Sequence, residues 1–429
     1  MTGGRKAVVG WVLYDWANSA FALTVMAAFF PVFFRNYWCS GIDPALSTAR
    51  LGFGTAAAGL AMALVAPVLG ALADAGGNRK RFLLWFMAAG CAATAGLAAV
   101  GQGAWLGALG VFVVANIGFS GANLFYDSLL PAVAPAERMD LVSSVGYAVG
   151  YLGCALLFIL NIVMVRQPAV FGLSGPSAGI RAAFISVALW WSLFSLPLFL
   201  FVKEPRDAAT RTAGMFGRSM RQLGQTVRHI AGDRRVLLFL FAYWLYIDGV
   251  HTFIRMAADF GMSIGLKPEA LMVSLLVVQL VAFPSAISFG FVSRRIGAGP
   301  SLLAGIAIYI FVTVIGSLTL TTQAQYTVFA ALSAIPLGCL QALSRSHFAR
   351  MIPADRSAEY FGFYDLTGKF AVIFGPAVVG LVTLAARRTG ISASMSTRLG
   401  FSSTALLFVC GGMLLLLSER ADRDTNAGC

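Results

Sequence analysis

"LYDWANSAFALTVMAAFF", residues 13–30, sets an ionisable carboxylate, Asp15, within a run that is otherwise apolar and suited to a helix in lipid. Asn18 follows about one helical turn later on the same face, and Tyr14 stands beside the acid. A carboxylate at the bilayer centre costs about 2.5–3.5 kcal/mol on insertion scales, so such a residue faces a pore, a partner or a substrate. About a dozen comparable spans follow in the chain. Asp15 therefore reads as part of a membrane-embedded cavity and not of a water-soluble core.

The composition agrees. Of 429 residues, 59% are hydrophobic and only 11% charged, with a mean hydropathy of +0.80. A soluble domain carries about 25% charged residues to cover its surface. The net charge of +13 would suit nucleic acid, but most Lys and Arg sit in short connectors between apolar runs, which is an orientation signal; no nucleic-acid partner is expected. The six cysteines show no ligand spacing, so neither a metal site nor a disulfide framework is expected. Arg5 and Lys6 before the first run resemble a signal peptide, but the run is too long for one and is read as a retained helix.

A helix needs about 20 mostly apolar residues to cross a bilayer. The runs at 8–34, 51–73, 82–101, 104–130, 141–164, 182–202, 236–260, 270–292, 301–321, 325–348, 359–385 and 398–418 give twelve spans. With an internal N-terminus, 20 Lys and Arg fall on the cytoplasmic side and 8 on the other, which places both termini in the cytoplasm of a bacterial inner-membrane protein. The expected fold is an all-α polytopic membrane protein, with an N-terminal six-helix bundle at 1–202, a basic cytoplasmic linker at 203–235 and a C-terminal six-helix bundle at 236–429. Arg211, Arg218, Arg221 and Arg228 recur near helical spacing in the linker; a headgroup-bound amphipathic helix and a solvated tether both fit.

The halves echo each other. Aligning Trp11 with Trp244 brings Asp15 onto Asp248 and Asn18 onto His251, and later Gly150 aligns with Gly368 and Tyr151 with Lys369. Duplicated bundles of this kind place a site between the repeats.

The connector "GALADAGGNRKR", residues 70–81, resembles the signature loop of the major facilitator superfamily, matching at Gly70, Asp74, Gly77 and Arg79. Ala75 and Asn78 stand where that pattern usually has basic residues, and in "GFVSRRIG" of the second half Arg294 replaces the acid. "GWVLYDWANSAFALTV" (10–25), with "FVKEPR" closing the sixth span, is similar to the branch related to the autophagy-linked vacuolar amino-acid effluxer. The resemblance covers essentially the whole chain. It implies two pseudo-symmetric bundles, a central cavity, alternating access and an amino-acid-like cargo, in a protein expected to be monomeric.

The seventh span carries Asp248, His251, Arg255 and Asp259 on one helical stripe, which is untenable against lipid. Asp248 and His251 are cavity candidates, for a substrate amine or a proton relay. Arg255 and Asp259 read as a pair for packing or an outer gate. On the eleventh span Asp365 and Lys369 lie one turn apart and either neutralise each other or form a switch that a substrate carboxylate opens. Arg345 suits an anion held bidentately, or a gate. On the fourth span Asn123 is a cavity candidate and Asp127 a gate residue. Asp74 with Arg79 either latches one side shut or merely caps its loop.

No GxxxxGK[ST] run and no HExxH occurs, so neither ATP coupling within this chain nor a metal-dependent hydrolase is expected, and no cofactor is implied. Embedded acids make protons the natural coupling ion, and acids alongside cations complement a zwitterion. A secondary transporter of a small zwitterionic or anionic solute is the leading reading. An organic-anion or lysophospholipid transporter, or a non-transporting sensor on the same fold, stands as the alternative.

Overall fold

The protein's computed structural model describes residues 4–204, 215–263, 268–370 and 374–427, and among them there are helices and turns but no strand. Twelve helical stretches are long and apolar enough to cross a membrane. Spans 1 to 6 are Arg5–Trp38, Leu46–Gly76, Arg79–Ala99, Trp105–Ser128, Ala136–Arg166 and Pro176–Phe201. Spans 7 to 12 are Arg234–Ala257, Val273–Ile296, Ala298–Thr319, Gln323–Met351, Ala354–Arg388 and Ala393–Ala421. With no water in the bilayer core, helices satisfy their own backbone groups, which is why so apolar a chain is helical throughout. Large side chains such as Phe53, Leu200 and Leu381 stay exposed, as expected where the solvent is hydrocarbon.

Span 1 runs unbroken but changes pitch. Beyond Asn18 it widens into π-helical winding over Phe21–Phe29 and again over Phe34–Trp38. Such winding is rare and gathers at functional positions. Span 11 consists of a helix Ser357–Phe370 and a second helix Phe374–Arg388. A further helix, Met215–Gly232, precedes span 7 and exposes Arg221, Arg228 and His229. Arg211 and the side chain of Arg218 lie outside the described residues.

By their contacts the residues form two compact units: Met1–Ala136 with Val149–Met220 and Ala354–Gly362, and Glu137–Ala148 with Arg221–Pro353 and Phe363–Cys429. The opening turns of spans 5 and 11 therefore group apart from the remainder of those spans. Inside the first unit, spans 3 and 4 meet backbone to backbone, since a Cβ on Gly118 would lie 2.5 Å from the Cα of Gly90. Small residues permit this approach, which maximises dispersion contact where lipid supplies no hydrophobic drive. Inside the second unit, Tyr309 stacks on Phe408 at 4.8 Å, joining spans 9 and 12.

Candidate functional site

In the first unit, the acid of span 1 is buried with a phenol for company. Tyr126 Oη donates to Asp15 Oδ2 at 2.7 Å. The same ring stacks on Trp11 at 4.5 Å and tilts against Tyr14 at 4.6 Å, while Trp11 Nε1 donates to the Tyr126 carbonyl at 3.1 Å. One turn along, Asn18 Nδ2 donates to Asn123 Oδ1 at 2.6 Å. Asp15, Asn18, Tyr14 and Asn123 thus form one cluster across spans 1 and 4. Tyr126 completes it, and its signal was its place three residues after Asn123, on nearly the same face. Asp127 is half-buried beside it. Span 5 closes on the cluster at Gly150, where a Cβ would lie 2.6 Å from Ser19 Oγ and 3.0 Å from the Asp15 carbonyl.

A second charged assembly of the same unit lies at the end of span 2. Gly77, at φ +56°, ends the helix with the paired bonds of a Schellman turn, Asn78 N–H to Ala73 O and Gly77 N–H to Asp74 O. That turn aims Arg79 back at Asp74, and Arg79 Nε meets Asp74 Oδ1 at 2.5 Å. Asp74 also caps the helix Ser357–Phe370, accepting from the N–H groups of Glu359 at 2.8 Å and Ala358 at 3.3 Å. Arg79 holds the turn before that helix through the carbonyls of Ala354 at 3.1 Å and Asp355 at 2.8 Å. Gly70 lets the backbones touch, because a Cβ there would strike the Ala358 carbonyl. Asp74 thus binds both the arginine of its own loop and the N-terminus of the helix Ser357–Phe370.

The "FVKEPR" end of span 6 has a physical use in the same place. Glu204 accepts from the N–H groups of Arg79 at 2.5 Å and Lys80 at 3.3 Å, and so caps span 3. Lys80 Nζ donates to the carbonyls of Phe199 at 2.9 Å and Val202 at 2.6 Å, which caps span 6 in return.

In the second unit Asp248 is fully buried. Its Oδ2 accepts from the N–H of Gly375 at 2.8 Å and its Oδ1 from Thr252 Oγ1 at 3.2 Å. Gly375 belongs to the helix Phe374–Arg388. A Cβ on Gly375 would run into Thr252 Oγ1 and lie 2.7 Å from Asp248 Oδ1, so the contact depends on glycine. His251 does not join it. Its Nδ1 is buried and has no hydrogen-bond partner among the described residues. Arg255 is exposed, and the side chain of Asp259 lies outside the described residues. Lys369 Nζ stands 3.9 Å from Asp365 Oδ1, at the outer limit of an ion pair, and Asp365 Oδ2 is buried without a hydrogen bond among the described residues.

Arg345 is 1% exposed and spends its donors on span 5: Nε on Ser143 Oγ at 2.9 Å and a terminal nitrogen on the Ser143 carbonyl at 3.1 Å, with the guanidinium 4.3 Å above the Tyr147 ring. This geometry clasps span 10 to the first half of span 5. Residues that sequence reasoning passed over complete the clasp: Asp140 takes Arg350 at 2.5 Å and Ser346 Oγ at 2.6 Å. Their spacing held a signal, since Ser346 and Arg350 lie four apart and present one face. Among the described residues no group of three or more His, Cys, Asp and Glu could hold a metal ion.

The model of the family described as "Vacuole effluxer Atg22 like" matches residues 53–427. The uncharacterized MFS-type transporter YxiO of Bacillus subtilis (strain 168) is 39% identical over 420 residues, covering 97% of this chain and 96% of that protein. Autophagy-related protein 22-2 of Aspergillus clavatus is 28% identical over 282 residues, 59% of this chain, and the chain spans 45% of the length of that fungal relative. Among solved structures, the human organic anion transporter MFSD10 (TETRAN) superposes with a TM-score of 0.72 at 14% identity, covering 96% of this chain and 100% of that one. At that identity the likeness concerns the fold, which is the major facilitator fold.

Proposed function

Since the chain belongs to the Atg22-like vacuole effluxer family of major facilitator transporters, we propose that it is a secondary active transporter for a small amino-acid-like solute, coupled to protons and working by alternating access. The observation that carries this reading is Asp248, a carboxylate fully buried within a membrane span whose hydrogen-bond partners, Gly375 and Thr252, are neutral. A buried acid without a cation bonded to it is a receptor for one, whether a proton or a substrate ammonium. Lys369, 3.9 Å from Asp365 in the same unit, is the complementary group for a substrate carboxylate. Asp15, hydrogen-bonded by Tyr126, is the corresponding acid of the first unit.

In this reading Asn18, Asn123, Tyr14 and His251 shape the path. Asp74 with Arg79, Asp140 with Arg350, and Arg345 with Ser143 are contacts that form and break as access alternates. The protein works as a monomer in the bacterial inner membrane, with both termini cytoplasmic.

The test is thermal unfolding of the purified protein in detergent against amino acids, dipeptides, carboxylates, sugars and lysolipids. A ligand at 100 times its dissociation constant adds about 2.7 kcal/mol to the folded state. The reading expects stabilisation by zwitterions that vanishes in Asp248→Asn, and liposome uptake that collapses with a protonophore. Stabilisation by anions or lysolipids alone would overturn the amino-acid assignment.

A further inference from the structure

Span 8 ends on two adjacent arginines, Arg294 and Arg295, that are exposed and form no ion pair or hydrogen bond with another described residue. They contrast with the arginines at the ends of spans 3 and 10, where Arg79 and Arg350 are each seated on an acid. In the last turn of a helix a cation also offsets the dipole, but that role needs neither a pair nor a cavity. Here there is a concavity of about 600 Å³ lined by Ser288, Phe291, Val292, Arg294 and Arg295. Ser288, Phe291, Val292 and Arg295 follow offsets of 3, 1 and 3, and so share one face of the helix. Phe291 is 54% and Val292 40% exposed, and Leu280 at 48% continues the apolar face toward the middle of the span. From the end of the span inward, the surface thus presents two guanidinium groups, then the apolar side chains of Val292 and Phe291, with the Ser288 hydroxyl deeper and turned back on the Pro284 carbonyl. A phospholipid likewise places an anionic phosphate at the membrane surface and an acyl chain beneath it.

We propose that this face binds an anionic phospholipid of the surrounding membrane, its phosphate forked by Arg294 and Arg295 and its acyl chain laid along Phe291 and Val292. A planar guanidinium gives two parallel bonds to phosphate oxygens, so a pair of them holds a phosphodiester in place where a lysine would only attract it. The site rests on the protein being embedded in a membrane and is independent of the cargo.

The experiment is native mass spectrometry of the full chain released from detergent, titrated with phosphatidylglycerol and with phosphatidylethanolamine of the same acyl chains. Phosphatidylglycerol is expected to bind selectively, and Arg294→Ala/Arg295→Ala to weaken it about 30-fold. Arg387 and Arg388, also adjacent, exposed and in the last turn of a helix, supply the control. Arg387→Ala/Arg388→Ala is expected to leave the selective adduct intact. All four arginines are exposed, so both variants should melt with the parent. Equal weakening by both variants would overturn the proposal in favour of bulk charge. So would equal binding of the two lipids. Displacement of the lipid by glycerol phosphate or inorganic phosphate at matching concentration would overturn it in favour of a soluble-anion site.

Discussion

Replacing Asp74 by asparagine leaves one acceptor oxygen for the N–H groups of Ala358 and Glu359 but removes the charge that faces Arg79 at 2.5 Å. Losing one partner of a buried pair costs about 3–5 kcal/mol when the other is left uncompensated. Arg79 is not left so, because it retains the carbonyls of Ala354 and Asp355 at 3.1 and 2.8 Å. The expected loss falls to about 2 kcal/mol, the scale of a charge-assisted hydrogen bond. Asp74→Ala also strips the cap from the helix Ser357–Phe370, a further loss of about 1 kcal/mol.

If the contact opens without global unfolding, these losses raise the opening equilibrium about 30-fold for Asn and about 150-fold for Ala. Amide hydrogen exchange over residues 354–362 reads that equilibrium directly. Faster exchange there, graded Asn below Ala, with the core of spans 3 and 4 unchanged, is the expected pattern. Unchanged exchange in 354–362 for a folded Asp74→Ala protein would refute the claim that this carboxylate holds span 11.

Gly375→Ala drives a methyl toward Thr252 and Asp248, so it should cost about 1–3 kcal/mol of thermal stability in detergent and abolish transport, while Gly380→Ala in the same helix, where nothing lies within 4 Å, should do neither. Glu204→Ala should lower stability by about 1 kcal/mol through the lost cap of span 3, measured as the melting midpoint, and Lys80→Met should act similarly through span 6. A double-mutant cycle on Asp140→Asn and Arg350→Ala, read by thermal unfolding, should give a coupling of about 1 kcal/mol or more; additive losses would show that the 2.5 Å pair stabilises nothing.

The twelve spans were legible in the sequence because a bilayer demands long apolar runs, and that demand is written in composition. Asp15 with Asn18, and the Asp74–Arg79 loop, were legible for a related reason: charge among apolar residues stands out. Asp140 was passed over because it sits near a connector, where an acid looks solvated. Its burial depends on Ser346 and Arg350, some two hundred positions along the chain, and no local pattern encodes that pairing. Thr252 was masked by His251, the more reactive neighbour, although the hydroxyl is the group four residues from Asp248 that bonds it. The role of Gly375 is invisible without the distance to Asp248, since a lone glycine before a proline reads as a helix break.

Glu204 grips the backbone of Arg79, whose side chain reaches Asp74 and the opening turn of span 11. The Asp74–Arg79 contact therefore has a third attachment, three residues past the end of the span 6 helix. A scheme that expresses the two halves as separate polypeptides keeps this attachment only when the cut falls after residue 204. A junction placed three residues earlier, at the end of the span 6 helix, would leave the first fragment without its own keeper.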